Sequence, residues 1–215
     1  MKSTSPIGVM DSGVGGLTVA RALLRLCPYE DIIYFGDNAN CPYGNREQDA
    51  IAALSGNILR FLEKKGVKGA AIACNTISVL AEYLAINFDF TVTGVIEPVA
   101  RSIAQSGWKR VGVYGTQFTI ASKSHEKLIH KYNPDVAVFG QPSPGLAMLI
   151  DKGCVDEAAI ESTLRDEIGA LLEQGPLDCI ILGCTHYPIV LPQLRQLFPD
   201  VVFVNPAEEQ ANTVI

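Results

Sequence analysis

The chain has 215 residues, a formal net charge of −6 and a hydrophobic content of 48%. This length allows one large domain or two small domains with a buried core, and the acidic balance argues against nucleic-acid binding through a basic patch. No run of 18 or more apolar residues indicates a membrane span, and the N-terminus lacks the apolar segment of a signal peptide.

Cysteine usage points to a reducing compartment. The six cysteines include no CxxC pair, so we expect free thiols in a cytoplasmic protein. No Cys/His cluster has the spacing of a structural zinc site, so no metal is expected.

Short apolar segments alternate with longer amphipathic segments along the chain. The predicted strands cover residues 7–10, 32–36, 70–73, 92–95, 111–115, 136–140, 179–183 and 201–204. The predicted helices cover residues 17–26, 49–66, 77–88, 98–107, 120–132, about 145–174, 190–198 and a helix start after Pro206. This alternation predicts an α/β fold with parallel strands, and strands that are apolar throughout are typical of sheets covered by helices on both faces.

Two segments, 68–84 and 177–194, share one pattern: an apolar strand, a cysteine, polar residues and an apolar helix. The pattern favours two related halves that face each other across a cleft, although any two strand–turn–helix units look somewhat alike. We predict a first domain at 1–96 and a second at 97–204. Residues 205–215 are expected to begin a C-terminal segment that returns to the first domain and is apparently truncated.

Cys74 and Cys184 occupy matching positions, each between a predicted strand and the helix that follows it. Backbone N–H groups at such a helix start favour a thiolate and can bind a carboxylate. A single cysteine is more often a small buried apolar residue. That interpretation suits Cys27, Cys154 and Cys179 and stays open for Cys41.

A glycine-rich loop, Asp11-Ser12-Gly13-Val14-Gly15-Gly16, follows the first strand. Its glycines allow backbone amides to approach an anion closely. A dinucleotide fingerprint fails here, because the third glycine of GxGxxG would fall on Thr18. Asp11 would also repel a pyrophosphate, and it could instead receive an amino group or assist a thiol.

The segments IGVMDSGVGGLTV, DIIYFGDNANCPYG, ACNTISVL, GVIEP and LGCTHYPIVLPQL resemble the glutamate racemases of the aspartate/glutamate racemase superfamily. The resemblance covers nearly the whole chain. It implies two pseudosymmetric parallel-sheet α/β domains with the active site in the cleft between them. It also implies an isomerase that interconverts L- and D-glutamate without pyridoxal phosphate, any other cofactor or a metal, and that supplies D-glutamate for peptidoglycan of the cell wall.

The same resemblance implies roles for individual residues. Cys74 and Cys184 would be the two catalytic acid/bases, with Asp11 and His186 assisting the thiols and Asp151 orienting His186. The substrate contacts would be Asp11, Ser12, Tyr43, Gly44, Asn75, Thr76, Thr116, Thr119, Thr185 and His186. Simpler alternatives remain for some of them: Ser12, Thr76 and Thr185 could cap helices, Tyr43 could belong to a surface turn, and His186 could be structural.

The chain departs from the family pattern at three places. Asn38 and Asn40 replace the usual Thr and Arg, Asp151 stands where a glutamate is usual and is one methylene shorter, and relatives continue beyond residue 215. The shorter acid predicts a looser second half-site, and the early end predicts lower stability than in longer relatives.

Other functions stay open at this point. The chain could act on aspartate, a hydantoin or another small acid, or it could be a non-catalytic ligand-binding relative. A thiol redox protein is the weakest alternative, because the two cysteines should stand across a substrate-sized gap. A homodimer is possible, and no nucleic-acid or membrane partner is expected.

Overall fold

The computed structural model describes residues 4–214, so the first three residues and Ile215 lie outside the description. The first sheet consists of strands β1 (Ile7–Asp11), β2 (Ile32–Gly36), β3 (Gly69–Ile72) and β4 (Thr91–Gly94). The second sheet consists of strands β5 (Arg110–Gly115), β6 (Ala137–Pro142), β7 (Cys179–Gly183) and β8 (Phe203–Val204). All pairings are parallel, which confirms the predicted α/β class.

The helices surround these sheets. They are α1 (Leu17–Leu26), α2 (Gln48–Lys64), α3 (Asn75–Ser78), α4 (Ala81–Ala85), α5 (Ile96–Gln105), α6 (Gln117–Ser122), α7 (Ser124–Tyr132), α8 (Leu146–Asp151), α9 (Glu157–Leu172), α10 (Leu191–Leu197) and α11 (Pro206–Val214). A 3-10 turn, Tyr187–Val190, leads into α10. None of the described helices is long and apolar enough to cross a membrane.

Three of the predicted helices are each divided in two. The predicted helix at 77–88 is wrong at its start, because the chain turns helical already at Asn75 and breaks between α3 and α4. Lys123, at φ 55°, separates α6 from α7, and the left-handed backbone there ends any continuous helix. The long segment at 145–174 breaks at Gly153 and Cys154, which both have positive φ, and Asp156 caps the start of α9.

The two sheets have the same strand order, β2-β1-β3-β4 and β6-β5-β7-β8. In each sheet the first and third strands are central. Neighbouring residues of the central strands enter different core clusters: Val9 packs with Val19 and Leu23, whereas Met10 packs with Leu59. Both faces are therefore buried, which is why these strands are apolar throughout.

Helix α11 packs against α1 and α5. Ala207 and Ala211 are buried in the cluster that contains Val9, and the Gln210 side chain donates hydrogen bonds to the Ile72 and Thr93 carbonyls. The domain boundary at 96 and 97 stays a prediction, because α5 starts there and contacts both α7 and α11.

Candidate active site

Cys74 and Cys184 follow the third strand of their respective sheets, β3 and β7. Both are buried, at 5% and 7% exposure, and both line the same cavity. The cavity has a volume of about 20 Å³, which is room for roughly one water molecule. The structure thus brings together two cysteines that are 110 residues apart in the sequence.

The Cys74 thiol lies among polar groups of the first sheet. Its Sγ donates to Ser12 Oγ at 3.5 Å, and the backbone N–H groups of Ser12 and Ile77 point at the sulfur. Burial, reinforced by the negative charge of Asp11, raises the pKa of the Cys74 thiol to about 12. The thiol is therefore neutral at pH 7 in these surroundings.

The Cys184 thiol is the first member of a hydrogen-bonded series in the second sheet. Its Sγ lies 3.6 Å from His186 Nδ1, and His186 Nε2 lies 2.8 Å from Asp151 Oδ1. The shorter acid at 151 thus reaches the histidine at an ordinary hydrogen-bond length, which argues against the looser half-site expected from the missing methylene. Burial raises the pKa of the Cys184 thiol far above its ordinary value.

Contrary to the expectation from the sequence, helix-start amides do not by themselves keep either thiol ionised. Amides do point at both sulfurs, from Ser12 and Ile77 to Cys74 and from His186 to Cys184, and they favour the charged form. Removal from water destabilises each thiolate by more than these hydrogen bonds stabilise it. A thiolate here requires a further positive charge.

Asp11 ends β1 beneath the glycine-rich loop and is fully buried. Its Oδ2 accepts the Gly13 N–H at 3.0 Å, and its Oδ1 accepts the Thr185 hydroxyl at 3.3 Å. Burial raises the pKa of this carboxyl, against the opposing effect of His186. A Cβ on Gly16 would lie 2.5 Å from Asp11 Cβ, so only glycine allows the loop to pass this closely.

Most of the residues predicted as substrate contacts line the cavity. They are Ser12, Tyr43, Gly44, Asn75, Thr76, Thr116, Thr185 and His186. Asp11, Asp151 and Thr119 stand behind this lining: Asp11 bonds Thr185, Asp151 bonds His186, and Thr119 Oγ1 lies 2.9 Å from Thr116 Oγ1 and 3.4 Å from Thr76 Oγ1.

The alternatives based on helix capping find little support. Helices α1 and α3 and the 3-10 turn after His186 have no side-chain capping hydrogen bond, so Ser12, Thr76 and Thr185 are not caps. Thr116 does cap α6, because its hydroxyl accepts the Thr119 N–H. Tyr43 is buried rather than at a surface turn, and its hydroxyl donates to Asp37 at 2.6 Å.

Four lining residues were not among the predicted contacts: Cys41, Pro42, Ala147 and Gly183. Pro42 and Gly183 belong to the segments PYG and LGC, which the sequence analysis had marked, and Cys41 directly precedes Pro42. Ala147 lies in α8, and no feature of the sequence marks it.

Asn75 Oδ1 is buried without a hydrogen-bond partner among the described residues, so it is free to accept from a ligand.

Four larger cavities, of about 650, 420, 410 and 250 Å³, are lined by neither Cys74 nor Cys184, and those of 650 and 410 Å³ lie along β4. The 20 Å³ cavity is distinguished by its chemistry rather than by its size.

Within residues 4–214, no cluster of three His, Cys, Asp or Glu side chains is arranged to hold a metal ion.

A family model for Asp/Glu/hydantoin racemases matches residues 7–214. The chain belongs to this racemase family. A glutamate racemase of Herpetosiphon aurantiacus is 42% identical over 203 residues, which are 94% of this chain and 78% of that protein. A glutamate racemase of Picosynechococcus is 40% identical over 205 residues, covering 94% of this chain and 73% of that protein.

Solved racemase structures share the architecture. A glutamate racemase of Bacillus anthracis superimposes with a TM-score of 0.93 at 35% identity, covering 99% of this chain and 81% of that one. A Francisella tularensis glutamate racemase in complex with D-glutamate gives 0.90 at 34% identity, covering 98% and 80%. An aspartate racemase of Picrophilus torridus gives 0.70 at 16% identity over 98% of this chain and 93% of that one, a likeness of fold alone.

Proposed function

We propose that the chain catalyses the interconversion of L- and D-glutamate, with Cys74 and Cys184 as the two acid/bases. The observation that carries the proposal is the position of these cysteines after equivalent strands of two like sheets, so that both reach one cavity. Glutamate is preferred as substrate because relatives at 35–42% identity are glutamate racemases. D-Glutamate made in this way would supply peptidoglycan synthesis.

Racemisation needs a proton acceptor on one face of Cα and a proton donor on the other. One sulfur, as a thiolate, takes the Cα proton and leaves a carbanion, and the other sulfur, as a thiol, gives its proton to the opposite face. The two cysteines exchange these roles when the reaction runs in reverse. A pair of thiols approaching from two sheets satisfies this geometry without any movement of the substrate between steps.

The substrate itself can supply a positive charge next to the two sulfurs. An α-ammonium group placed beside Asp11 would stabilise a thiolate at Cys74 or Cys184 in this dry environment. The unpartnered Asn75 Oδ1 offers an acceptor for the same group. The hydroxyls of Ser12, Thr76 and Thr185 would hold the α-carboxylate and stabilise the developing carbanion.

The site is closed around a space too small for glutamate, because about 20 Å³ accommodates little more than one water. Substrate binding therefore requires the two halves to separate and close again. Closure would exclude water and strengthen every charge interaction at the reacting carbon.

The decisive experiment measures circular dichroism during incubation with L- or D-glutamate, without added cofactor. Wild type, Cys74→Ser and Cys184→Ser are compared, with Cys27→Ser as a control outside the cavity. We expect both site variants to lose about 100-fold to 10,000-fold in rate, the usual contribution of a general acid or base, and the control to keep full activity. A folded wild type without turnover would refute the proposal.

The alternatives have separate readouts. Exchange of the Cα hydrogen for deuterium with aspartate or a hydantoin, but not with glutamate, would move the assignment to another substrate of the family. Calorimetric binding of glutamate without any exchange would indicate a non-catalytic relative.

Compartment and assembly are further parts of the proposal. We infer a cytoplasmic location from the six cysteines, all of which are free thiols in the structure. A homodimer is the assembly to test, by sedimentation with and without glutamate.

A further inference from the structure

Cys41 lies in the same cavity as the two proposed acid/bases. Its Sγ donates to Asp151 Oδ2 at 3.8 Å, a distance typical of a weak thiol hydrogen bond. Cys41 follows β2 of the first sheet, whereas Asp151 ends α8, which packs in the core of the second sheet. The contact therefore joins the two halves across the cleft.

The two oxygens of Asp151 have different partners. Oδ1 lies 2.8 Å from His186 Nε2, and Oδ2 accepts the Cys41 thiol. Because His186 Nδ1 lies 3.6 Å from Cys184 Sγ, four side chains form one continuous series from Cys41 to Cys184. Such a series fixes each member more firmly than separate pairs do.

We propose that Cys41 is a positioning residue for this reaction, whose thiol holds the Asp151 carboxylate in the orientation that keeps His186 against Cys184. The inference rests on the proposed racemase function. The Asp151 side chain is 33% exposed, and with a single hydrogen bond it could rotate toward water. A second hydrogen bond on its other oxygen restricts that rotation.

The surroundings keep Cys41 in this role. A Cβ on Gly13 would lie 3.2 Å from Cys41 Sγ, so the glycine-rich loop packs directly against the sulfur and limits where it can point. Burial and the carboxylates of Asp151 and Asp11 raise the pKa of the Cys41 thiol to about 11. The thiol therefore stays protonated at neutral pH and acts as a donor. Since donor and acceptor belong to different halves, the alignment of His186 is completed only when the cleft is closed.

The test is a double-mutant cycle of Cys41→Ala and Asp151→Asn, assayed as glutamate racemisation. We expect Cys41→Ala to lower kcat about 3-fold to 30-fold with little change in KM, the effect of losing one weak hydrogen bond to a charged group. In the Asp151→Asn background the same substitution should have no further effect. The pH profile of kcat/KM should move in the same direction in both single variants. Cys27→Ala, a cysteine outside the cavity, should leave rate and profile unchanged.

Either of two activity results would overturn the inference: a Cys41→Ala rate within 2-fold of wild type with an unchanged pH profile, or losses that multiply in the double variant. If the alanine variant does not fold, Cys41→Val, which also removes the donor, enters the same cycle under the same criteria. The ring nitrogen NMR signals of His186 give a readout that needs no activity. They should shift in Cys41→Ala, and unshifted signals would also overturn the inference, whereas an inactive wild type would refute the racemase proposal alone.

Discussion

The Thr185 hydroxyl donates a hydrogen bond to the Asp11 carboxylate, with 3.3 Å between Oγ1 and Oδ1, although 174 residues separate the two in the sequence. Asp11 ends the first strand of one sheet, and Thr185 follows the third strand of the other. The contact links the halves at the point where both proposed acid/bases lie. Several consequences of this junction can be measured.

Asp11→Asn should lower activity and raise stability at neutral pH. Burial raises the pKa of the Asp11 carboxyl above its unfolded value, so the folded state binds the proton more tightly, and stability declines as pH rises from the unfolded pKa to the folded one. Asparagine carries no charge, so the variant does not lose stability through the burial of an ionised carboxylate. Thermal melts from pH 4 to 8 should show a variant that melts higher at pH 7, with the advantage shrinking toward pH 4. An equal or lower melting temperature at pH 7 would contradict the expectation.

Gly15→Ala should disable the site. A Cβ at this position would lie 2.5 Å from Thr185 Oγ1 and 3.0 Å from His186 Nδ1, so both side chains must move away from the junction. Displacements of this kind commonly cost about 100-fold in rate. The matched control is Gly169→Ala in α9, where a Cβ meets nothing within 4 Å. We expect this control to keep full activity and to gain about 0.5–1 kcal/mol of stability, and equal activity of the two variants would argue against a close-packed junction.

Alkylation should distinguish the two site cysteines from the partly exposed Cys27, whereas Cys179, which is also buried and has a pKa raised to about 12, should react slowly as well. Cys74 and Cys184 are buried, and their thiol pKa values are raised, to about 12 for Cys74. Since the thiolate is the nucleophile, iodoacetamide at pH 7 should modify both far more slowly than the partly exposed Cys27. The modification rate should climb as pH approaches 10. Mass spectrometry of peptides follows each site, and the urea-unfolded chain, in which all six should react alike, provides the reference.

His125→Leu should reduce acid sensitivity. His125 is buried, neither ring nitrogen has a hydrogen-bond partner among the described residues, and burial lowers the pKa of its imidazole to about 4. As pH falls from about 6.5 to about 4, the unfolded chain therefore binds a proton at this histidine that the folded chain does not bind. This difference lowers the free energy of unfolding by up to about 3 kcal/mol. Urea unfolding at pH 7 and pH 4.5 should show a smaller loss of stability in the leucine variant. His130→Gln, on the same helix, should retain the wild-type difference.

Much of the fold could be read from local patterns. Helix α1 and strands β2 and β7 have the bounds that the apolar periodicity predicts. Breaks at Lys123 and at Gly153-Cys154 were missed, because a left-handed residue interrupts a helix without changing its apolar spacing. The site motifs were also visible, since cysteine, threonine and glycine recur at the ends of predicted strands. Ala147 could not be predicted as a lining residue, because its role depends only on where α8 packs.

The sequence by itself determined most of the elements, their parallel arrangement and the candidate reactive side chains, because periodicity and strand-end chemistry are local properties. The tertiary structure decided the electrostatic state of those side chains. Burial holds both thiols neutral against the amides that point at them, and the junction of two sheets brings Cys41 to Asp151 and Thr185 to Asp11. Desolvation and distance both depend on what packs around a group, and residues far apart in the chain supply that packing.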